Sequence, residues 1–258
     1  MRKFHPSYPF IPSRPEMKSP AKELQLLYHT ASDIPPPLAF RAMIRLTKGS
    51  GPVAVEFNRE YIGREEIPLQ EIEAEGFSAE DDFQWSGSMP EFWYAELHKL
   101  AEESEWKEAS ETQVLFSVDG GETWLSPLQE KKWETITEEI IQACLEEGGK
   151  ELPLEMVYGE LLQNNFYEEI FLEWRYARKE INAMIKGGKQ AIFSGKDWTE
   201  AVEQLRIWME DEAKEKDLYQ LPKFRGKYWL MNNEIWLPDR KKKYGRVWEW
   251  VDTNKVGK

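Results

Sequence analysis

The feature that most constrains how this chain can fold is a series of apolar residues near its middle. Five of them follow one another at intervals of four, three, four and three residues: Ile170, Trp174, Ala177, Ile181 and Met184. This spacing places side chains on one stripe of an α-helix. Asn165, with Glu168 three residues later, has the form of a capping box, and Gly187 suits a helix C-terminus. We therefore predict helices over roughly 154–163 and 166–186.

Similar stripes flank this segment. The stripe before it consists of Trp133, Ile136, Ile140 and Cys144. After it, Asp197 and Glu200 repeat the capping-box pattern, and the helix that follows would bury Trp198, Val202, Leu205 and Trp208. The sequence thus predicts a central helical subdomain over residues 127–217.

Apolar residues alternate with others on both sides of this block, as they do in half-buried strands. Residues 38–47 and 53–57, joined by a glycine-containing turn, predict one hairpin. Residues 228–231 and 234–237 predict another, because the Asn232-Asn233 pair between them tolerates positive φ angles. Further elements are predicted as follows: strands over 114–118 and 246–251, a helix over about 88–109, a short helix near 21–28, and a solvated acidic loop over 65–82 with room for one short element.

These elements predict an α+β fold, with antiparallel β-hairpins near both ends of the chain and a central helical subdomain. Four segments follow from the pattern. They are a proline-rich extended arm over 1–37, a β-hairpin region with one helix over 38–126, the helical subdomain over 127–217, and a basic, aromatic β-hairpin region over 218–258. The last segment either stands alone or completes the N-terminal sheet. The arm wraps either its own body or a partner.

Charge is distributed unevenly along the chain. The net charge is −13, and the acidic excess lies within residues 51–217, whereas residues 1–50 and 218–258 are each basic. An acidic body favours a basic partner and repels free duplex nucleic acid. The single cysteine, Cys144, excludes a disulfide framework and is typical of a reducing compartment. Neither a signal-like apolar segment nor a membrane-length apolar run is present in the sequence, so we expect a cytoplasmic protein without a membrane partner.

The segment Ser117-Val118-Asp119-Gly120-Gly121-Glu122-Thr123-Trp124 resembles the Asp-box, a hairpin motif of sialidases and related propellers. In those families the box is a structural turn: Ser and Asp bond the turn's backbone, and the Trp packs underneath. The resemblance covers eight of 258 residues and occurs once, whereas propellers repeat it. It therefore implies a stabilising hairpin turn here and carries over no catalytic residue.

Other chemical motifs are incomplete. The histidines His5, His29 and His98 lie far apart and lack the spacing of a zinc site. Gly195-Lys196 lacks the preceding glycine and the following Ser or Thr of a phosphate-binding loop, and we expect a helix cap there instead. Adjacent carboxylates are numerous on what we predict to be solvated helix faces. We expect no cofactor and no metal, and we nominate no catalytic residue, although an enzyme with an unrecognised site stays an alternative.

The most informative constellation is at the C-terminus, where basic and aromatic residues interleave. Basic side chains neutralise phosphates and aromatic rings stack on unpaired bases, so this segment is a candidate nucleic-acid or partner surface. One alternative is that the hairpins bury their aromatic residues against the helices and leave residues 240–243 as a solvated turn. Another is that this basic turn pairs with the acidic body of the protein itself or of a second copy. The candidate residues are Lys223, Arg225, Lys227, Arg240, Lys241, Lys242, Lys243, Arg246, Trp248 and Trp250.

The function that this pattern favours is that of a non-catalytic, intracellular protein–protein interaction protein, such as an accessory, regulatory or inhibitor-type subunit. Its partner would be another protein, and a basic one, because opposite charge accelerates association. The first alternative is a nucleic-acid-binding subunit that uses the C-terminal strands. The second is an enzyme whose site the sequence does not reveal.

Overall fold

The computed structural model describes residues 21–74, 76–78, 80–109, 112–118, 120–162, 165–212, 226–231, 234–236 and 246–254. Within these ranges, side chains are not described for 158–162, 165–169, 205–212, 226–231, 234–236, Trp248 and 252–254. The chain divides into two compact units, Met1–Lys150 and Glu151–Lys258. The fold is α+β, with helices and antiparallel sheets, as predicted.

The first unit is built on a seven-stranded sheet with the order β4-β3-β2-β1-β6-β7-β5. Its strands are β1 (Glu23–His29), β2 (Phe40–Thr47), β3 (Val53–Tyr61), β4 (Phe83–Met89), β5 (Trp106–Glu108), β6 (Val114–Ser117) and β7 (Leu125–Pro127). Its helices are α1 (Leu69–Ala74), α2 (Phe92–Glu103) and α3 (Glu130–Glu147), and Arg64–Glu66 forms a 3₁₀ turn.

Alternation along the central strands creates the core of the first unit. Leu24 and Leu26 on β1 and Ile44 on β2 are fully buried, because every second side chain of a strand points to the same face. Helix α3 contributes Trp133, whose ring lies 4.9 Å from that of Phe116 and whose indole nitrogen donates a 2.9 Å hydrogen bond to Ser104. The β2–β3 hairpin and the helices predicted around Trp93 and Trp133 are confirmed.

The turn between β6 and β7 has the features that the Asp-box resemblance implies. The amide of Gly121 donates a 3.1 Å hydrogen bond to the Ser117 hydroxyl, and Gly120 and Gly121 have φ angles of 76° and 88°. A Cβ at Gly121 would lie 3.4 Å from the Trp124 ring, which therefore packs against the turn. The motif is a hairpin turn in this protein.

The second unit is built on a six-stranded antiparallel sheet with the order β11-β10-β9-β8-β12-β13. Its strands are β8 (Leu154–Leu162), β9 (Asn165–Arg175), β10 (Glu180–Ile185), β11 (Gln190–Ser194), β12 (Gly226–Met231) and β13 (Glu234–Trp236). Its helices are α4 (Lys196–Glu212) and α5 (Arg246–Asn254). The predicted C-terminal hairpin is β12–β13, and it extends this second sheet beside β8.

The helices predicted over 154–163 and 166–186 are wrong: the described residues of these ranges form mainly strands β8, β9 and β10. The interval of four residues between Ile170 and Trp174 fits a helix, but it also fits the two-residue period of a strand. Leu172, between them, is fully buried too, which fits a strand but not a helix with a single buried face. Met184, assigned to the helical stripe, is 40% exposed. Gly187 is part of the β10–β11 turn rather than a helix cap.

Two further predictions are wrong. Residues 23–29 form the central strand β1 rather than part of a short helix, and Leu24, Leu26 and Tyr28 are its buried face. Residues 246–251 belong to helix α5 rather than a strand. The two valines Val247 and Val251, four residues apart, are its buried positions.

Both units have the same topology. When the short α1, β5 and 3₁₀ turns are set aside, each consists of four antiparallel strands, a helix, a hairpin and a second helix. In each, the hairpin is added beside the first strand, so that both sheets have the order 4-3-2-1-5-6. The chain is a tandem of two similarly connected units.

Candidate interaction surface

Two long connections lie at the same end of the first sheet. Residues 30–39 join β1 to β2, and residues 62–82 join β3 to β4. Because the strands are antiparallel, both connections emerge where β1 ends and β4 begins. The amide of Ile62 donates a 2.8 Å hydrogen bond to the carbonyl oxygen of Ala39, which joins the two connections. We call residues 30–39 and 62–82 together the platform.

Arg64 is the residue that holds the platform together. Its side chain is only 7% exposed. The guanidinium donates hydrogen bonds to the carbonyl oxygens of Pro37 (2.9 Å) and Ser78 (2.7 Å) and to the carboxylate of Asp81 (3.0 Å). One side chain therefore connects the 30–39 segment to both ends of the 62–82 segment. An unpaired arginine would be costly to bury, so these bonds fix the loop conformation.

Asp81 is the anionic partner in this network. Partial burial raises its pKa, but hydrogen bonds from Ser78 and Arg64 outweigh that effect and lower the pKa of Asp81 to about 2. Lys150 lies 3.6 Å from the other carboxylate oxygen. The carboxylate is therefore ionised over the whole neutral and mildly acidic range, and the network persists there.

A series of stacked rings and guanidinium groups joins the platform to the core. The Arg64 guanidinium lies 3.4 Å from the centroid of the Tyr61 ring and 4.8 Å from that of Phe77. The buried guanidinium of Arg59 lies 5.2 Å from the same Tyr61 ring. Cations over aromatic faces are attracted by the ring quadrupole, most strongly when water is excluded. The platform loops are thus packed against the end of strand β3, through Tyr61.

The outer side of the platform combines exposed aliphatic and acidic residues. Ile34, Leu38, Ile62 and Leu69 are exposed large apolar side chains. Seven acidic residues in the described part of the platform are also exposed: Asp33, Glu65, Glu66, Glu71, Glu73, Glu80 and Asp82. Exposed apolar residues rimmed by charge are typical of protein-binding surfaces. The loop predicted over 65–82 contains one short element, α1, for which the prediction left room, and its described acidic residues are largely exposed.

Other titratable groups in the first unit are engaged in packing. Burial, followed by the charge of Glu147, raises the pKa of the Cys144 thiol, so this cysteine is not an activated nucleophile. Burial and the neighbouring Glu138 raise the pKa of Tyr28, whose hydroxyl donates a 3.2 Å hydrogen bond to that carboxylate. His98 stacks on Tyr94 with the ring centroids 5.7 Å apart.

The C-terminal candidate residues are only partly described. Lys223, Arg225, Arg240, Lys241, Lys242 and Lys243 lie outside the described residues. Lys227 is on β12, opposite Glu160 of β8. Arg246, Trp248 and Trp250 are on helix α5 rather than on a strand.

Two of these residues interact with their own unit. The Arg246 guanidinium donates a 3.1 Å hydrogen bond to the Asp197 carboxylate. The Trp250 ring packs edge-on against Phe193, with the centroids 6.2 Å apart, beside the core. Both contacts lie within the second unit, whereas the basic turn 240–243, on which the alternatives depend, lies outside the described residues.

Sequence reasoning missed the platform because its central residue is an arginine. Arg64 stands in a run of charged residues, Arg64-Glu65-Glu66, where burial is not expected. The available signal was the presence of three large aliphatic residues, Ile62, Ile67 and Leu69, close to the acids in this segment.

Among the described residues, no group of three or more His, Cys, Asp or Glu side chains is placed to hold a metal ion. In the same part of the chain, no helix is both long enough and apolar enough to cross a membrane. Comparison with known proteins finds no matching family model, no matching curated protein and no matching solved structure.

Proposed function

We propose that this protein is a non-catalytic protein–protein interaction protein that binds a basic partner protein through the platform. The observation that carries the proposal is the combination of exposed aliphatic residues with seven exposed acids, among the described residues, on loops that the buried Arg64 holds in place. A preorganised surface loses little conformational entropy when it binds, and its acidic rim steers a basic partner towards it.

The proposal includes a cytoplasmic location. Its support is the single cysteine, Cys144, which is buried and unpaired, as is usual for proteins of reducing compartments. An accessory, regulatory or inhibitor-type subunit fits this description.

The test begins with affinity purification of the tagged full-length chain from the cells that produce it. We expect a stoichiometric partner with a basic surface. Rebinding of that purified partner would then be compared between the wild type and a Glu65→Lys/Glu66→Lys variant. We expect the association rate to fall by about tenfold in low salt and by less at high salt, because steering is screened within about 10 Å at 0.1 M salt.

A matched control changes the same number of charges outside the platform and outside β4 with its flanking acids. Glu102 and Glu103 are adjacent and exposed at the C-terminus of α2. The Glu102→Lys/Glu103→Lys variant should associate within about twofold of the wild type. A chain that purifies without any stoichiometric protein, an acidic partner, or equal loss of binding in both variants would each overturn the proposal.

A further inference from the structure

Strand β4 is an edge of the first sheet and begins directly after the platform. Its sequence, Phe-Gln-Trp-Ser-Gly-Ser-Met, contains neither a charged residue nor a proline. Natural edge strands are usually short, charged or interrupted, because an open edge pairs with other chains. The edges β5 and β13 follow that rule, since each has three residues and carries charge. β4 does not follow it.

The hydrogen-bond pattern identifies the backbone groups that β4 directs outward. The amide of Ile62 donates to the carbonyl of Ala39 on the β2 side, so the even-numbered residues of β3 bond to β2 and the odd-numbered residues face β4. Because Phe57 is paired with Trp85, the odd-numbered residues of β4 bond to β3. Gln84, Ser86 and Ser88 therefore direct their N–H and C=O groups away from the sheet, and their side chains are exposed as well.

The inner side of the same strand is firmly anchored. Met89 is buried, the Phe83 ring lies 6.2 Å from that of Phe57, and the Trp85 ring lies against Gly87. The outward row of donors and acceptors is thus fixed in an extended geometry. A fixed extended edge is what strand addition requires, because main-chain hydrogen bonds supply most of the affinity in that mode.

Charge indicates what can occupy this edge. Glu80 and Asp82 precede β4, and Glu91, which lies 3.2 Å from the Lys48 ammonium, follows it, so acidic residues flank both ends of the strand. Two copies paired antiparallel through β4 would bring Asp82 of one copy close to Glu91 of the other, which like-charge repulsion disfavours. The uncharged edge β11 in the second unit is shorter and is flanked by Lys189 and Lys196 instead.

We infer that the outer edge of β4 binds an extended, basic segment of the partner as an additional antiparallel or parallel strand. The outward groups of Gln84, Ser86 and Ser88 form the hydrogen bonds, and the acids at both ends of the strand select a basic segment. The inference rests on the proposed function for the charge of the partner, whereas strand addition itself rests on the geometry of β4.

The test uses the full-length chain and a synthetic ten-residue peptide of alternating Lys and Val. Hydrogen exchange of the free chain comes first, and the amides of Gln84, Ser86 and Ser88 should exchange freely. Saturating peptide should slow their exchange at least about fivefold and leave residues 190–194 of β11 unchanged. Protection of these amides before any peptide is added would overturn the inference, because the edge would already be covered by the chain itself or by a second copy.

Variants of Ser86 test the backbone contact. Ser86→Pro removes an outward amide and no bond to β3, so the chain should keep its fold, as a thermal melt would verify. We expect peptide affinity to fall at least tenfold in Ser86→Pro and to stay within twofold in the control Ser86→Ala. If Ser86→Pro unfolds, Ser86→Lys places a like charge against the peptide and should weaken it similarly. Unchanged affinity in the folded variant would overturn the inference.

Two further peptides separate this inference from the proposed function. A basic peptide with proline at every second position has the same charge but cannot form a strand, and we expect it not to bind. If it binds equally, the edge inference fails while the acidic-surface proposal stands. A peptide of alternating Glu and Val should also fail to bind. If it binds as well as the basic peptide, the preference for a basic partner is wrong while strand addition stands.

Discussion

The two units share a topology, but they differ in the connections between their strands. In the first unit, β3 and β4 are separated by residues 62–82, which contain α1, a 3₁₀ turn and the buried Arg64. The equivalent strands of the second unit, β10 and β11, are joined by residues 186–189, a tight turn with Gly187 at a φ angle of 70°. The two units therefore share a scaffold, and the platform lies in connections that are longer in the first unit.

An ion pair in the platform of the first unit is more deeply buried than an ion pair of the second unit. Arg64–Asp81 in the first unit is largely buried, with side-chain exposures of 7% and 18%. Arg246–Asp197 in the second unit joins an arginine that is 74% exposed to a largely buried aspartate. Buried pairs impose geometry on the loops around them, whereas exposed pairs contribute little. We therefore expect Arg64–Asp81 to hold the loops around it in place and Arg246–Asp197 to contribute little to stability.

The largest expected losses of stability come from core substitutions, and each should be confined to the unit that carries the substitution. Trp133→Ala and Trp198→Ala each remove a buried ring from one unit, and each should destabilise that unit by about 4 kcal/mol because a cavity remains. Hydrogen exchange should accelerate in β1, β2 and β6 for Trp133→Ala and in β9 and β10 for Trp198→Ala. Equal acceleration in both sheets for either variant would show that the two units unfold as one.

Removal of Arg64 should produce the next largest effect. Arg64→Ala leaves the carbonyls of Pro37 and Ser78 and the Asp81 carboxylate without their donor, and we expect a loss of about 3 kcal/mol. Exchange should accelerate over residues 62–82 and stay unchanged in β10 and β11. The control is Arg41→Ala, whose exposed pair with Glu60 should contribute no more than about 1 kcal/mol. Wild-type exchange in the platform of Arg64→Ala would contradict the role given to this residue.

Acid should destabilise the platform of the wild type as Asp81 becomes protonated. A variant that lacks the Asp81 carboxylate should not respond over the same pH range. The folded pKa of about 2 lies below the ordinary value of 3.8, so ionised Asp81 stabilises the fold at any pH above about 4. This stabilisation, about 2 kcal/mol, is lost as the pH falls from about 4 to 2. Exchange of residues 62–82, corrected for its intrinsic pH dependence, follows the loss. Asp81→Asn should show no such step, and a step of equal size in both proteins would assign it to another group.

The smallest effect concerns the exposed pair of the second unit. Arg246→Ala should change the free energy of unfolding by less than about 0.5 kcal/mol, because solvent screens the pair and side-chain entropy opposes it. Denaturant unfolding followed by circular dichroism measures this change, with Arg178→Ala, another exposed arginine, as the control. A loss comparable to that of Arg64→Ala would remove the contrast between the two pairs.

Several elements could be predicted because their residues fit only one period. β2 alternates strictly through Ala42, Ile44 and Leu46, and α3 places Trp133, Ile140 and Cys144 on one helical face. The α+β class followed from these segments. Residues 154–186 were predicted wrongly because an interval of four residues satisfies both periods, and the discriminating burial of Leu172 and Ala183 depends on packing.

By itself, the sequence determined the amphipathic segments, the turn glycines and the separation of acidic from basic regions, because these depend on local spacing and composition. Tertiary structure alone decided three things: that β1 is central, that both units share one topology, and that Arg64 is buried within an acidic loop. Each depends on pairings between residues far apart in the chain, such as Tyr28 with Ala42 and Arg64 with Pro37. The burial of a charged residue is favourable only when such distant partners are in place, so the local sequence cannot reveal it.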